Sequence, residues 1–399
     1  MKNIELLLPA GNLEKLKYAL MYGADAVYIG AKKYSLRAQA SNFTFDDLKE
    51  GVEFAHSLNK RVYVTVNVIP REKEIDGVKE YVKYLESIGV DGVIASSPAI
   101  LNIIKENTHL HTSISTQASV VNLNAVNLYH SLGYERVVLG RETSIDEIKY
   151  IKENTQSEIE VFIHGGMCSG YSGRCTLSNY MSDRDANRGG CAHSCRWDYE
   201  LYKNDTKISN DNKFQMSSKD LCAIEYIKDL VNLNVDSLKV EGRMKSIHYI
   251  ATIAYTYKSY INDILNNTEK PISYYKELLE SAENRENYSG FFNGKIDENM
   301  TLYEDVSPQA NQSFLALVME YDKETKMALV ETRNYFKIGD KVEVMSPGKE
   351  LKYFTINKII KDGESLNESN HALDKVYISS DIELKKFDIL RRTKWNQLL

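Results

Sequence analysis

The chain has 399 residues, 27% of them charged and 43% hydrophobic, with a formal net charge of −6. That hydrophobic share supports a packed core and excludes wholesale disorder, and no apolar run reaches the roughly 18 residues of a membrane span. Residues Met1 to Pro9 lack a basic stretch followed by an apolar one, so the chain reads as cytoplasmic, and its mild acidity confines any nucleic-acid contact to a local basic patch.

At roughly 150 residues per domain, the length predicts two or three domains, or one large barrel with a small partner. The chain opens on an apolar run, Leu6–Leu8. Asn12 is placed to cap a helix with Leu13, Leu16 and Leu20 on one face, and Thr44 with Asp47 forms a capping-box pattern before Leu48, Val52 and Ala55. Further apolar runs follow at Val62–Val66, Thr112–Ser115 and Glu160–Ile163. Four segments share one grammar: Gly23-Ala24-Asp25-Ala26-Val27-Tyr28-Ile29, Gly89-Val90-Asp91-Gly92-Val93-Ile94, Gly133-Tyr134-Glu135-Arg136-Val137-Val138 and Asn234-Val235-Asp236-Ser237-Leu238-Lys239-Val240. Each reads as a helix end, a Gly or Asn suited to left-handed φ, an acid, and a short buried strand. Eight strands alternating with helices before about residue 240 predict an α/β fold with a (β/α)8 TIM-like barrel over residues 1–266. A doubly wound open sheet is the competing topology.

The residues leaving the strands include Asn67, Ser96-Ser97, Thr116-Gln117, Arg141-Glu142, His164-Gly165-Gly166 and Glu241-Gly242-Arg243. Barrel active sites are built at that end. The connection after the seventh strand is far longer than a usual βα loop, which marks it as functional. It carries a hairpin pattern, Tyr199–Tyr202 with Lys213–Met216, and then a helix opened by Ser218 or Asp220 that holds Cys222. After a helix at about 245–266, residues 267–311 read as a bridging segment with one helical piece near Tyr274–Leu279. Alternating strand patterns such as Phe314–Met319, Met327–Glu331 and Val376–Ile378 then predict a small β-barrel domain over 312–399.

All five cysteines, Cys168, Cys175, Cys191, Cys195 and Cys222, lie on the long connection, a Cys-rich insertion at 164–222. An odd count without a signal peptide argues against a disulfide framework. Only Cys191 and Cys195 have the close spacing of a zinc knuckle, so zinc is the weaker reading. Four irregularly spaced thiolates suit a 4Fe–4S cluster, and small structural thiols are the remaining alternative. Cys168, Cys175 and Cys191 supply three ligands. The fourth is Cys222 or Cys195, and Cys222 is preferred because a helix N-terminus lowers a thiol pKa. Arg174, Arg184, Arg188 and Arg196 on the insertion, with Arg243 and Lys245, fit an anionic ligand or ordinary pairing with Asp183, Asp185 and Asp198. Lys385, Lys386, Arg391, Arg392, Lys394 and Trp395 form a basic tail that fits RNA or a solvated terminus. No H-E-x-x-H, G-x-S-x-G or Walker pattern is present. His164 could pair with Cys168 as a base, or fill the barrel top through hydrogen bonds.

The stretches Leu8-Pro9-Ala10-Gly11, Ser115-Thr116-Gln117, Val138-Leu139-Gly140-Arg141-Glu142, His164-Gly165-Gly166-Met167-Cys168-Ser169-Gly170-Tyr171-Ser172-Gly173-Arg174-Cys175, Asn187-Arg188-Gly189-Gly190-Cys191 and Lys239-Val240-Glu241-Gly242-Arg243-Met244-Lys245-Ser246 resemble the collagenase-like peptidase family of unknown catalytic type. The resemblance runs over essentially the whole chain. It departs from the family's pattern at Gly166, where Ala is common. Despite the family label, the resemblance implies oxygen-independent hydroxylation of transfer RNA, ribosomal RNA or ubiquinone precursors, with a 4Fe–4S cluster on cysteines of this region. The length and C-terminal domain are similar to the branch that makes 5-hydroxyuridine at the wobble position of transfer RNA with prephenate as co-substrate. In that reading His164, Arg141, Glu142, Glu241 and Arg243 form or order the catalytic site, and Gln117, Arg174, Arg188, Arg196 and Lys245 contact substrate. Transfer RNA is the expected partner, with a protein of the same family or an electron donor as a further one. A peptidase, and an iron–sulfur scaffold without activity of its own, are the rival implications.

Overall fold

The computed structural model describes residues 4–31, 34–35, 43–208, 214–282, 285–295, 297–301 and 313–393. Lys213 of the expected hairpin, residues 302–311 of the bridge, and Lys394 and Trp395 of the tail lie outside the described residues.

Eight parallel strands form the first domain: β1 (Glu5–Pro9), β2 (Ala26–Ile29), β3 (Arg61–Val66), β4 (Gly92–Ala95), β5 (His111–Ile114), β6 (Arg136–Val138), β7 (Glu158–Gly165) and β8 (Ser237–Val240). Each pairs with the next up to β7, and β8 pairs with both β7 and β1, which closes the ring. An open doubly wound sheet is thereby excluded. Helices fill the connections. Asn12 caps Leu13–Met21 by accepting from the Lys15 amide at 2.9 Å, and Thr44 and Asp47 form a reciprocal capping box before Phe45–Ser57. The long helix Ile247–Asn266 follows β8 and is buried along most of its length.

The repeated grammar has a physical cause. Gly23, Gly89, Gly133 and Asn234 all take positive φ, which turns the chain from helix into strand. The acid that follows accepts an amide at the start of a neighbouring strand. Asp25 receives the Leu6 amide at 3.0 Å, Asp91 that of Val62 at 2.8 Å, Glu135 that of Thr112 at 2.9 Å and Asp236 that of Ile159 at 2.8 Å. The acids before β2, β4, β6 and β8 thus terminate β1, β3, β5 and β7.

The barrel interior is partly apolar, with Leu7, Ala26, Tyr28, Tyr63 and Ile94 in one cluster. The rest is charged. Arg136 Nη1 lies 2.6 Å from Glu5 and 3.2 Å from Glu160, and Lys239 Nζ lies 2.5 Å from the other oxygen of Glu160. Burial would raise the Glu160 carboxyl, but Lys239 and Arg136 hold it below its ordinary range. Four charges of alternating sign therefore rise through the barrel toward its mouth.

The second domain is an eight-stranded antiparallel sheet that includes Phe314–Asp322, Met327–Thr332, Lys341–Met345, Lys375–Ser379 and Ile389–Arg392. It has its own apolar cluster, including Leu315, Val330, Val342, Ile359 and Leu390. Leu317, Met345 and Ile389 instead join the barrel's core. The Tyr22 hydroxyl lies 2.6 Å from the Met345 carbonyl, and His248 stacks on Phe314 at 5.2 Å. Of the basic tail, Arg391 is buried, with its guanidinium on Glu343 and 3.1 Å from the Ser281 hydroxyl. The tail expectation is corrected there, because Arg391 occupies an inward position of a paired strand.

His248 makes the contact between the domains acid-sensitive. Burial, with Arg391 adding to it, pushes its imidazole down to about 3 from an ordinary 6.5. The unfolded chain therefore binds a proton that the folded chain refuses between those values. Stability should be full above about 6.5 and fall as pH drops toward 3. Thermal melts across that window should show the slope, and His248→Phe should make it shallower, with buried His164, also held down at about 3, keeping part of it. An unchanged slope in that variant would refute the assignment.

Candidate functional site at the barrel mouth

A cavity of about 340 Å³ opens at the C-terminal ends of the strands, beneath the long insertion. Its floor holds Tyr28, Ile94, Phe162 and Lys239, and its wall carries Ser115, Thr116 and Gln117. Gln117 sits in a short 3-10 turn, Thr116–Ala118, whose first amides are capped by Ser115.

Four of the five cysteines, Cys168, Cys175, Cys191 and Cys195, line this cavity, while Cys222 is not among its lining residues. Burial pushes the Cys168 thiol up, Arg141 draws it down, and the nearby Cys195, Glu241 and Cys191 push it further up. Cys168 is still reached by solvent through the cavity. Cys222 lies in a short strand, Asp220–Cys222, antiparallel to the end of β7, where it faces His164. Its sulfur is 3.9 Å from the Tyr257 hydroxyl. The expected helix through Cys222 is therefore corrected: helix Ile227–Asn232 begins later, after the 3-10 turn Ile224–Tyr226. Pairing with β7 takes up the backbone that a helix from Asp220 would need. The hairpin is also shorter than expected, with Tyr202–Lys203 paired to Thr206–Lys207 and an outer bridge from Tyr199 to Phe214.

Cations dominate the charged lining. Arg141, Arg196, Lys239, Arg243 and Lys245 face it, with Asp220 and Glu241 as the acids. Arg243 is anchored, donating to the Gly30 carbonyl at 2.9 Å and Ser35 at 3.2 Å. Lys245 lies 3.4 Å from Asp220, and Arg196 stands 3.9 Å from the same carboxylate. A Cβ placed on Gly166 would come within 3.2 Å of the Glu241 carboxylate and 3.3 Å of the Arg196 guanidinium, so both crowd one point of the wall. Arg141 differs. Its guanidinium lies 4.0 Å over the Phe162 ring, and its buried Nε has no acceptor among the described residues. A guanidinium stacked on a ring at a cavity wall is suited to a carboxylate or phosphate ligand.

Several expected site residues act elsewhere. His164 is buried, with Nδ1 3.1 Å from the Tyr257 hydroxyl, and burial, assisted by Lys245, lowers its pKa to about 3. It does not line the cavity. Glu142 accepts from the Ser172 amide at 2.8 Å and its hydroxyl at 3.0 Å, which pins the insertion to the β6 loop. Gly173 presses on Gln117 so closely that a Cβ would meet its carbonyl at 2.2 Å, at a φ of +74°. Arg174 is exposed and donates to Ser119 at 3.1 Å, and Arg188 pairs with Glu74. Both tether the insertion to the barrel and are absent from the cavity lining. Sequence reasoning passed over Lys239, Phe162 and His193, all of which line the cavity. The available signal was a lysine at an inward position of a buried strand.

The donor set fits an iron–sulfur cluster in its chemistry, because four soft thiols line one cavity that also holds cations. Among the described residues no three such side chains are gathered as a preformed metal cage. No described helix is long and apolar enough to cross a membrane.

Comparison with known proteins places this architecture. Residues 11–302 match Peptidase family U32, and residues 310–391 match the Peptidase family U32 C-terminal domain. A "tRNA hydroxylation protein P1" of Bacillus subtilis (strain 168) is 42% identical over 405 residues, covering 98% of this chain and 96% of that protein. A "tRNA hydroxylation protein P" of Haemophilus influenzae is 34% identical over 426 residues, covering 93% and 90%. The "23S rRNA 5-hydroxycytidine C2501 synthase" of Escherichia coli is 34% identical over 262 residues, covering 66% of this chain and 40% of that protein. With matches that run through both the barrel and the antiparallel domain, the chain belongs to peptidase family U32.

Proposed function

We propose that this chain is an RNA-modifying hydroxylase that acts on carbon 5 of the wobble uridine of transfer RNA without molecular oxygen, using a 4Fe–4S cluster and prephenate as co-substrate. The names of the full-length relatives support the reaction class and the RNA. The observation that carries the reading is Arg141, a guanidinium stacked on Phe162 at the wall of the cavity that four cysteines line.

Cys168, Cys175, Cys191 and Cys195 would hold the cluster, which when bound supplies one-electron redox chemistry. The chain's own residues divide the remaining work. Arg141 binds a carboxylate of the anionic co-substrate, and Lys245 and Arg196 add positive potential at the mouth. Phe162 and Tyr28 form an apolar floor that limits water. Lys239, held by Glu160 and set 4.5 Å from the Tyr28 ring, places its amine at the floor beside the bound ligand, and burial lowers its pKa. Glu142 does not touch the ligand; it positions the loop that carries Cys168 and Cys175.

Nucleoside mass spectrometry of transfer RNA from a deletion strain tests the reading. Loss of 5-hydroxyuridine derivatives, restored by the wild-type gene and not by Arg141→Met, is expected. Unchanged levels of these nucleosides would overturn it.

A further inference from the structure

We propose that the outer face of the cysteine insertion is a stacking surface for single-stranded RNA, on which exposed rings receive the bases flanking the one that enters the cavity. This rests on the RNA reading above and adds where and how the strand is held.

Tyr180 is 88% exposed, Tyr202 58%, Tyr171 50% and Trp197 40%. Apolar side chains scattered singly on a surface need no explanation, but four exposed aromatic rings on one insertion do. They share a location. Tyr171 lines the cavity mouth, and so does Arg196, the residue before Trp197. The short helix Leu177–Ser182, which carries Tyr180, packs against the turn Ser194–Arg196 that leads into Trp197. Tyr202 stands on the adjoining hairpin.

Each ring also has a cation near it along the chain. The Arg174 amide closes a turn onto the Tyr171 carbonyl at 3.0 Å, Arg184 follows Tyr180 by four residues, Arg196 precedes Trp197, and Lys203 follows Tyr202. Arg174 and Lys203 form no ion pair among the described residues, and the Nε of Arg174 donates to the neutral Ser119 hydroxyl. The counter-charges on the insertion are Asp183, Asp185, Asp198 and Glu200, of which Glu200 is engaged by Lys207 at 2.8 Å and by the Tyr202 hydroxyl at 2.9 Å and Asp198 by the Gln215 amide at 2.7 Å.

Alternating aromatic and basic side chains match a polyanion whose bases are free to stack. The rings take the bases, with little regard to sequence, and the cations follow the phosphates. A duplex keeps its bases stacked inside and offers these rings no partner. The centre of a self-association interface, by contrast, is depleted of charge.

The full-length protein with Trp395→Phe retains Trp197 as its one tryptophan. A short oligouridylate should quench its fluorescence, and a duplex RNA should not. Tyr180→Ala with Tyr202→Ala should weaken oligouridylate binding by about tenfold or more, while the corresponding Phe pair should bind like wild type. Melting curves control for folding, and if the Ala pair unfolds, the single Tyr180→Ala variant carries the test. Unchanged affinity in the Ala variants overturns the proposal. So does sedimentation in which the Ala pair only breaks up a self-associated wild-type protein. If affinity remains ring-dependent while the deletion strain keeps its wobble nucleosides, the hydroxylase reading falls and the surface stands.

Discussion

Replacing Arg136 with methionine should remove about 3–5 kcal/mol of stability, read as a lower urea midpoint at an unchanged slope. The guanidinium is 3% exposed and sits among three carboxylates, at 2.6 Å from Glu5, 2.8 Å from Glu158 and 3.2 Å from Glu160. Methionine fills similar volume, so the loss is electrostatic rather than a cavity effect. Glu5 would keep one cation, the half-exposed Arg61, beside the hydroxyls of Tyr63 and Ser237, and Glu160 would keep one cation, Lys239. One uncompensated negative charge would remain inside the barrel. Adding Glu160→Gln to Arg136→Met should restore part of the loss by removing that charge. An unchanged midpoint in the single variant would mean that the buried column contributes nothing. The column also reaches the cavity, since Glu160 holds Lys239 at its floor, so the variant should disturb ligand binding at temperatures where it is still folded.

That column was invisible in the sequence for a geometric reason. Glu5, Arg136, Glu160 and Lys239 lie on four different strands, and only the register of a closed ring brings them together. Inward and outward positions of a buried parallel strand are both apolar in most cases, so alternation carries little signal. The strands themselves were legible, because each is a short apolar run, and four of them follow a Gly or Asn turn with an acid at a fixed offset. The capping residues Asn12, Thr44 and Asp47 were legible because capping is local. The site was legible in composition, in that the cysteines and most of the cavity's cations were named from their loops. It was less legible in role. Arg188 read as a ligand contact and Glu142 as a residue that binds the co-substrate or orders the site, and each reaches a partner distant in sequence and serves as a tether. His164 read either as a base, from its nearness to Cys168 in the chain, or as a hydrogen-bonded filler of the barrel top, and Tyr249 and Tyr257 from the long helix enclose it in the second manner. The Asp220–Cys222 segment read as helix because its pairing partner lies more than fifty residues earlier.

Cys195→Ala should strip most of the iron from anaerobically prepared protein, and Cys222→Ala should leave it in place. An expected helix terminus favoured Cys222 in the sequence, and that helix begins only at Ile227. Cys195 shares the cavity with Cys168, Cys175 and Cys191 and is close enough to act on the Cys168 thiol. The Cys222 sulfur is instead packed beside Tyr257, on a strand held to β7 by its own pairing and by the Ala223 amide, which donates to the Ile163 carbonyl at 2.8 Å. Bringing Cys222 to the other three would require breaking part of that pairing, at a cost of about 0.5–1.5 kcal/mol per hydrogen bond lost. Cys168→Ala should lose the iron under either arrangement and so calibrates the measurement. Iron retained in Cys195→Ala and lost in Cys222→Ala would make Cys222 the fourth ligand.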